Sequence, residues 1–489
     1  MISFIISLFA LILGYLLYGK FVEKLFGPDP SRTTPAVAHA DGVDYIPMPA
    51  WKVYMIQFLN IAGTGPIFGA IMGAKFGPSA YLWIVFGCIF AGAVHDYISG
   101  MMSVRGDGAN LPEVIGHTLG NRVKNVMLVF IVLLLILVGA VFVYSPALIL
   151  GDIAGVAGSG STLSIMFWVV IILGYYIIAT LLPIDKIIGK IYPVFAAALI
   201  FMAVGLMVCL LVKWPSIPEF WQGLQNRGPS VGMNGQSIFP CLFITIACGA
   251  ISGFHATQSP MMARCIKSEK LGYPIFYGSM ITEGIVALIW AAVSSYFFFD
   301  GGAAEVGSEL SAAAPTIVTK VSRAWLGAFG GILAIMGVVA APITTGDTAF
   351  RSARLTVAGF FKYDQKPVRN RLMVSIPIFV AAGLLLWFNI ADEDGFNTIW
   401  RYFGWANQSL SVFTLWAIAA YLARRKKRGA YLIAEIPAMI MTVVCVAYIC
   451  TQKIGLNLPM WAGVFIGVLV ADVLDGIFHY KEFREHKRK

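Results

Sequence analysis

Apolar residues in this chain gather into long unbroken runs instead of recurring at strand or surface-helix intervals. The runs lie near 2–19, 53–74, 79–102, 125–149, 163–182, 192–212, 239–256, 274–298, 326–346, 372–390, 402–422, 431–451 and 459–478. A helix needs about 17–25 such residues to cross a bilayer, and lipid admits only backbone that bonds to itself. The pattern predicts an all-α integral membrane protein of about thirteen transmembrane helices, counted below in chain order. The longest polar stretches, 27–50, 213–238, 299–324 and 350–371, are too short for a core of their own. The segment 27–50, rich in Pro and Ala, reads as a loop. Segments 235–239 and 300–316 have the composition of short surface helices or lids. The run at Met1 has no basic lead and no small-residue cleavage site, and is expected to be a first span rather than a removable signal.

Two runs are interrupted. The second carries NIAGTGPIFGA at 60–70 and the seventh CGAISGFHATQSP at 248–260. Both set Gly, Ser or Thr, and Pro at or near membrane depth, five spans apart and in opposite directions. Paired interruptions in oppositely oriented halves are the mark of an inverted-repeat secondary transporter, because bare peptide groups persist there only when buried or lining a cavity. The alternative for each is close packing of small residues, and Gly249 and Gly253 keep its four-residue spacing. A phosphate loop is excluded: the flanks are spans and no Gly-Lys-Ser/Thr follows.

Composition fits this picture. Of 489 residues 58% are hydrophobic and 12% charged, against about 25% charged in soluble domains. With the amino terminus outside and the carboxyl tail in the cytoplasm, 28 of the 35 Lys and Arg fall on the inner side. Lys75, Lys213, Arg227, Lys320, Arg323, Arg401 and Lys453 are the seven outside. That split obeys the positive-inside rule, and the net charge of +10 follows from it without a nucleic-acid partner. The runs at 424–428 and 481–489 are expected to anchor the inner face, where they meet membrane lipid. Seven cysteines without a C-x-x-C pair point to apolar packing rather than disulfide or zinc chemistry.

Two long blocks carry a family resemblance: NIAGTGPIFGAIMGAKFGPSAYLWIVFGCIFAGAVHDYISGMMSVRGDGANLPEVI (60–115) and SGFHATQSPMMARCIKSEKLGYPIFYGSMITEGIVALIWAA (252–292). Both strongly resemble the carbon starvation protein A (CstA) family, inner-membrane secondary transporters associated with uptake of pyruvate and of peptides. The resemblance places the chain in the amino acid–polyamine–organocation superfamily, whose core is the five-plus-five inverted repeat of the leucine-transporter fold. It implies one span and an inner loop in 1–50, a first repeat in 51–238 (spans two to six), a second in 239–428 (spans seven to eleven), and two further spans with a basic tail in 429–489. This chain is shorter than the long members of the family, which carry further carboxy-terminal spans.

In that fold the first helix of each repeat breaks at the binding site. By position this implies Ala62, Gly63, Thr64, Gly65 and Pro66 facing Gly249, Ser252, Gly253 and His255, with half-helix N–H groups offered to a substrate carboxylate. His255 either adds a proton-dependent charge or is a buried histidine bonded to a carbonyl. Many relatives of the fold bind sodium through a carbonyl and two hydroxyls at i, i+3 and i+4 on the ninth span, and Ala341, Thr344 and Thr345 match. Those hydroxyls otherwise bond back to their own helix. Sodium is the one candidate cofactor. Acids within spans cost about 2.5–3.5 kcal/mol by insertion scales, which singles out Glu283, Asp96 and Asp347 for proton coupling. For Asp96 the alternative is a salt bridge to Arg105; for Glu283, a bond to a broken helix. Asp472 and Asp475 read as interfacial. The expectation is a cation-coupled importer of pyruvate or small peptides. A channel would need a continuous polar lining, and a membrane enzyme a catalytic set; neither is present in the motifs.

Overall fold

The computed structural model describes residues 1–489 except 43, 154–160, 182–183, 366, 392–394, 426–428 and 485–489. Most of each basic run, at 424–428 and 481–489, therefore lies outside the described residues. Among the described residues the regular secondary structure is all helical, without a strand. Among the same residues ten helices are long and apolar enough to cross a membrane, and Ala50–Ala62 with Gly65–Ala74, bent by 50°, makes an eleventh if the pair is one span. The chain is thus a multi-pass α-helical membrane protein. Its seventh run divides into halves too short to count alone, and its eleventh lies in the long helix Gly395–Arg424.

Two boundaries differ from those read in the sequence. The seventh run was expected at 239–256; helix instead occupies 238–245 and His255–Ala263, with 246–254 irregular between them. Thr257, Gln258, Ser259 and Pro260 lower the hydropathy of the second half, which hides it from a window average. The ninth was expected to end near 346. It runs as Ala314–Phe361 through a kink at Gly327, so Thr344, Thr345 and Asp347 lie inside a helix, all buried. The buried Arg351 and Arg354 depress the average there.

The connections sort to two ends. At one end Glu219 accepts the N–H groups of Ile2 (3.0 Å) and Ser3 (2.7 Å), Asp300 accepts Ser216 N–H at 2.8 Å, and Lys213 pairs with Glu305 at 2.6 Å. Burial works to raise the Glu219 carboxyl, but the bonds from the terminal ammonium and Ser3 outweigh it and hold it below its ordinary value. At the other end, Ile46 N–H bonds to Arg264 O and Met48 N–H to Cys265 O, Tyr45 Oη donates to Asp107 O at 3.0 Å, and Arg425 Nη1 donates to Phe26 O at 2.8 Å. Connections 1/2, 3/4, 7/8 and 11/12 therefore share an end, and 2/3, 6/7 and 8/9 share the opposite one. That is the alternation expected if each of these runs, the broken seventh included, crosses once.

Glu269 is the hub of the second end. Arg105 donates to both its oxygens, Nε to Oε1 at 2.9 Å and Nη2 to Oε2 at 2.7 Å, and Asp29 N–H donates to Oε2 at 2.7 Å. The carboxylate is fully buried and the guanidinium nearly so. Arg105 is thus spoken for, which removes it as the partner expected for Asp96. Removing one member of a buried, fork-bonded pair leaves the other charge uncompensated and costs about 3–5 kcal/mol. Glu269→Ala is expected to lower stability by that amount, read as a falling thermal-unfolding midpoint of detergent-solubilised protein; an unchanged midpoint would mean that the pair carries no load.

The apolar core forms two bodies. One gathers residues from spans one, two, three, six, eight, eleven and twelve. The other gathers spans four, five and ten with parts of seven, nine and eleven. The seventh span contributes to both: Leu242, Ile244, Ile246, Ile251, Met261, Met262 and Ala263 pack in the first body, and Phe254 and Ala256 in the second.

Candidate functional site

The first break begins where Ala50–Ala62 ends at Gly63, whose φ of +49° and ψ of −135° suit a residue without Cβ. The chain re-enters helix as a wide π-type turn, Gly65–Gly69, with Pro66 in its first positions, where its missing N–H is harmless. The second break spans 246–254 and contains Gly249 at φ +90°. The two breaks touch: a Cβ on Gly65 would fall on Cys248 Sγ and Cβ, and one on Gly69 would lie 2.9 Å from Thr245 O. The structure thus brings Gly65 and Gly69 against 245–248, while Gly63 faces Phe142 and Thr345.

The half-helix starts are less open than expected. Asn407 Oδ1 accepts the Phe254 N–H at 2.7 Å and meets Ser252 Oγ at 3.1 Å. The N–H groups of His255 and Ala256 bond to Ser252 O and Gly253 O. Gly253 is pressed against the backbone of Asn407, Leu410 and Ser411. Ser252 and Gly253 thus fasten the break to the eleventh span, and at this half-helix start the N–H groups of 254–256 are bonded within the protein. Asn407 escaped notice because nothing in the local sequence marks it.

His255, Asp96 and Glu283 form one cluster with His95, all fully buried. Asp96 Oδ1 lies 2.7 Å from His95 Nδ1 and Oδ2 lies 2.8 Å from His255 Nδ1. An ionised carboxylate only accepts, so both Nδ1 atoms carry hydrogen. His255 Nε2 then faces Glu283 Oε2 at 3.4 Å, without hydrogen-bond geometry. Neither Glu283 oxygen has a partner at full hydrogen-bond geometry, and the Gly249 N–H of the second break is the backbone donor directed at this carboxylate, the broken-helix partner weighed for this residue. A bare ring nitrogen facing a carboxylate is repulsive; one proton placed between them makes the contact attractive. This corrects the carbonyl partner envisaged for His255 and the Arg105 partner envisaged for Asp96. His95, the neighbour of Asp96 in the sequence, joins the cluster as a second imidazole on the same carboxylate.

Asp347 stands apart. Tyr192 Oη donates to its Oδ2 at 2.8 Å, and Oδ1 has no hydrogen-bond partner. Thr344 Oγ1 and Thr345 Oγ1 each donate to Ala341 O at 2.8 Å, the helix-internal bonding weighed against a cation site. Thr345 also reaches Leu59 O at 3.1 Å, tying the ninth span to the helix before the first break. Around both breaks several fully buried polar atoms have no partner within the protein: Gln57 Oε1, both ends of the Asn60 amide, Thr64 Oγ1 and Gln258 Oε1. Each costs about 1–3 kcal/mol if left so, against a net stability of about 5–15 kcal/mol. Such atoms crowd where a polar solute is handled. All seven cysteines are free, as packing residues should be.

The model of the family described as carbon starvation protein CstA matches residues 1–154, 148–326 and 301–448. The chain is 26% identical to the peptide transporter CstA of Escherichia coli (strain K12), covering 87% of this chain and 77% of that protein. It is 28% identical to the pyruvate/proton symporter BtsT of the same strain, over 58% of this chain and 47% of that protein. Among solved structures, the manganese transporter of Eremococcus coleocola superposes with a TM-score of 0.61 at 12% identity, covering 91% of this chain and 99% of that one, a likeness of fold alone.

Proposed function

We propose, from the premise that this chain belongs to the carbon starvation protein CstA family, that it is a proton-coupled secondary transporter importing pyruvate or a small peptide by alternating access. The observation that carries the reading is the Asp96–His255–Glu283 contact, which joins the third, seventh and eighth spans at the second break through groups that need one proton to cohere. Residues 51–238 and 239–428 act as the two inverted repeats of a thirteen-span topology, with 1–50 and 429–489 added and the amino terminus outside. The sorting of connections to two ends supports that topology. Substrate binds between 62–66 and the second break, against Thr64 and His255. The two apolar bodies rock against each other, and the interrupted seventh span transmits the motion because it belongs to both.

Protonating the Glu283–His255 contact draws the eighth span toward the seventh. Releasing the proton to the other side restores repulsion and favours opening there. The proton is chosen over sodium as the driving ion because the buried Asp96–His255–Glu283 contact can take one up. The test is uptake into proteoliposomes of labelled pyruvate and dialanine under an imposed proton or sodium gradient. Accumulation under the proton gradient, abolished by a protonophore, is expected. Accumulation driven only by sodium would overturn the choice of ion, and no uptake of either solute under either gradient would remove the transporter reading.

A further inference from the structure

The helix before the first break carries a stripe of amides. Gln57 and Asn60 stand at i and i+3 of the helix Ala50–Ala62, which places them on one face; Thr64 follows just beyond the break, and all three are fully buried. Gln57 Nε2 donates to Ser259 Oγ at 3.3 Å, so the stripe faces the second half of the seventh span, which contributes the fully buried Gln258.

The hydrogen-bond network fixes which end of each glutamine is bound. Ser259 Oγ gives its hydrogen to His255 O at 3.1 Å, so toward Gln57 it can only accept, and the Gln57 nitrogen must be the end that meets it. Thr257 Oγ1 gives its hydrogen to Phe254 O at 2.6 Å, so the Gln258 nitrogen, at 2.8 Å, must likewise be the end facing the threonine. The ends left without a partner are therefore carbonyl oxygens, Gln57 Oε1 and Gln258 Oε1, with Asn60 Oδ1 beside them in the stripe. Nearby, Glu283 presents two more oxygens without a partner at full hydrogen-bond geometry. These five acceptor oxygens outnumber the two donor groups left without a partner there, Asn60 Nδ2 and the Thr64 hydroxyl. Their complement is a ligand that donates.

We infer that Gln57, Asn60 and Gln258 form a subsite for the ammonium or amide N–H groups of the transported solute. The inference deepens the transporter reading and rests on it. Pyruvate, whose carboxylate and ketone only accept, leaves both glutamine oxygens unpaired; a peptide's amino end satisfies them. A site built around N–H donors discriminates strongly against an analogue that lacks them.

The experiment measures binding to the purified full-length chain by calorimetry, and counterflow in proteoliposomes, for three probes: dialanine, its desamino analogue propionyl-alanine, and pyruvate. Dialanine is expected to bind at least tenfold more tightly than propionyl-alanine. Gln258→Leu is expected to bring that ratio toward one, and Gln258→Glu, which keeps acceptor oxygens, to preserve it. The pair of variants separates recognition from misfolding, since both alter the same buried position. Equal binding of dialanine and its desamino analogue, or transport of pyruvate without dialanine, would overturn the subsite while the transporter reading stands. Failure of all three probes to bind or exchange would count against the transporter reading itself.

Discussion

Glu283→Gln is expected to abolish concentrative uptake while sparing exchange of substrate across the membrane. The wild-type carboxylate faces His255 Nε2 at 3.4 Å and changes sign of interaction with one proton. Glutamine offers a permanent donor at the same place and freezes the contact in its attractive form. A carrier moving one proton with each substrate accumulates about tenfold per unit of pH difference, because one pH unit is worth about 1.36 kcal/mol. The variant should fall from that ratio to none, with counterflow of preloaded substrate retained. Measuring both in the same vesicles checks it: accumulation against the gradient by the variant would show that Glu283 does not carry the coupling proton. Asp96→Asn is a harsher change, since Asp96 holds two imidazoles at 2.7 and 2.8 Å.

Gly65→Ala is expected to cut transport roughly tenfold to a hundredfold. The added methyl would fall on Cys248 Sγ and Cβ, where the two breaks abut, and both residues are buried. Overpacking of this kind costs about 1–3 kcal/mol, here directed at separating the interrupted spans. The partner change Cys248→Gly removes the obstructing atoms and should restore much of the loss in the double variant. Uptake rates at equal reconstituted protein read the result. Wild-type rates in Gly65→Ala, or no recovery with Cys248→Gly, would mean that the contact is not part of the working site.

Much of the architecture was legible because lipid imposes a long, simple pattern on the chain. The first break was legible too: Gly63, Thr64, Gly65 and Pro66 lie together inside an apolar run, and only a break explains them. The second half of the seventh span was not, since Gln258 and Ser259 are polar yet wholly inside, and hydropathy cannot tell a polar residue facing a buried seam from one facing water. The cluster at the site was half visible. Asp96, Glu283 and His255 each stood out as buried ionisable groups, but the pairing of Asp96 with His255 joins positions 159 residues apart. Arg105 illustrates the opposite error: it is near Asp96 in sequence, on the same helix, and bonds elsewhere to Glu269. Asn407 and Tyr192, one capping the second break and the other holding Asp347, belong to ordinary-looking stretches and became visible only through their contacts.

Among the described residues no lysine or arginine pairs with Asp96 or Glu283. Any elementary charge that this cluster shifts as it faces first one side and then the other is therefore uncompensated by its surroundings. Carried across the whole bilayer, one charge is worth about 2.3 kcal/mol per 100 mV. At equal pH on both sides an interior-negative potential alone should therefore draw in a zwitterionic peptide carried with one proton, whereas a pyruvate anion carried with one proton crosses without net charge and should not respond.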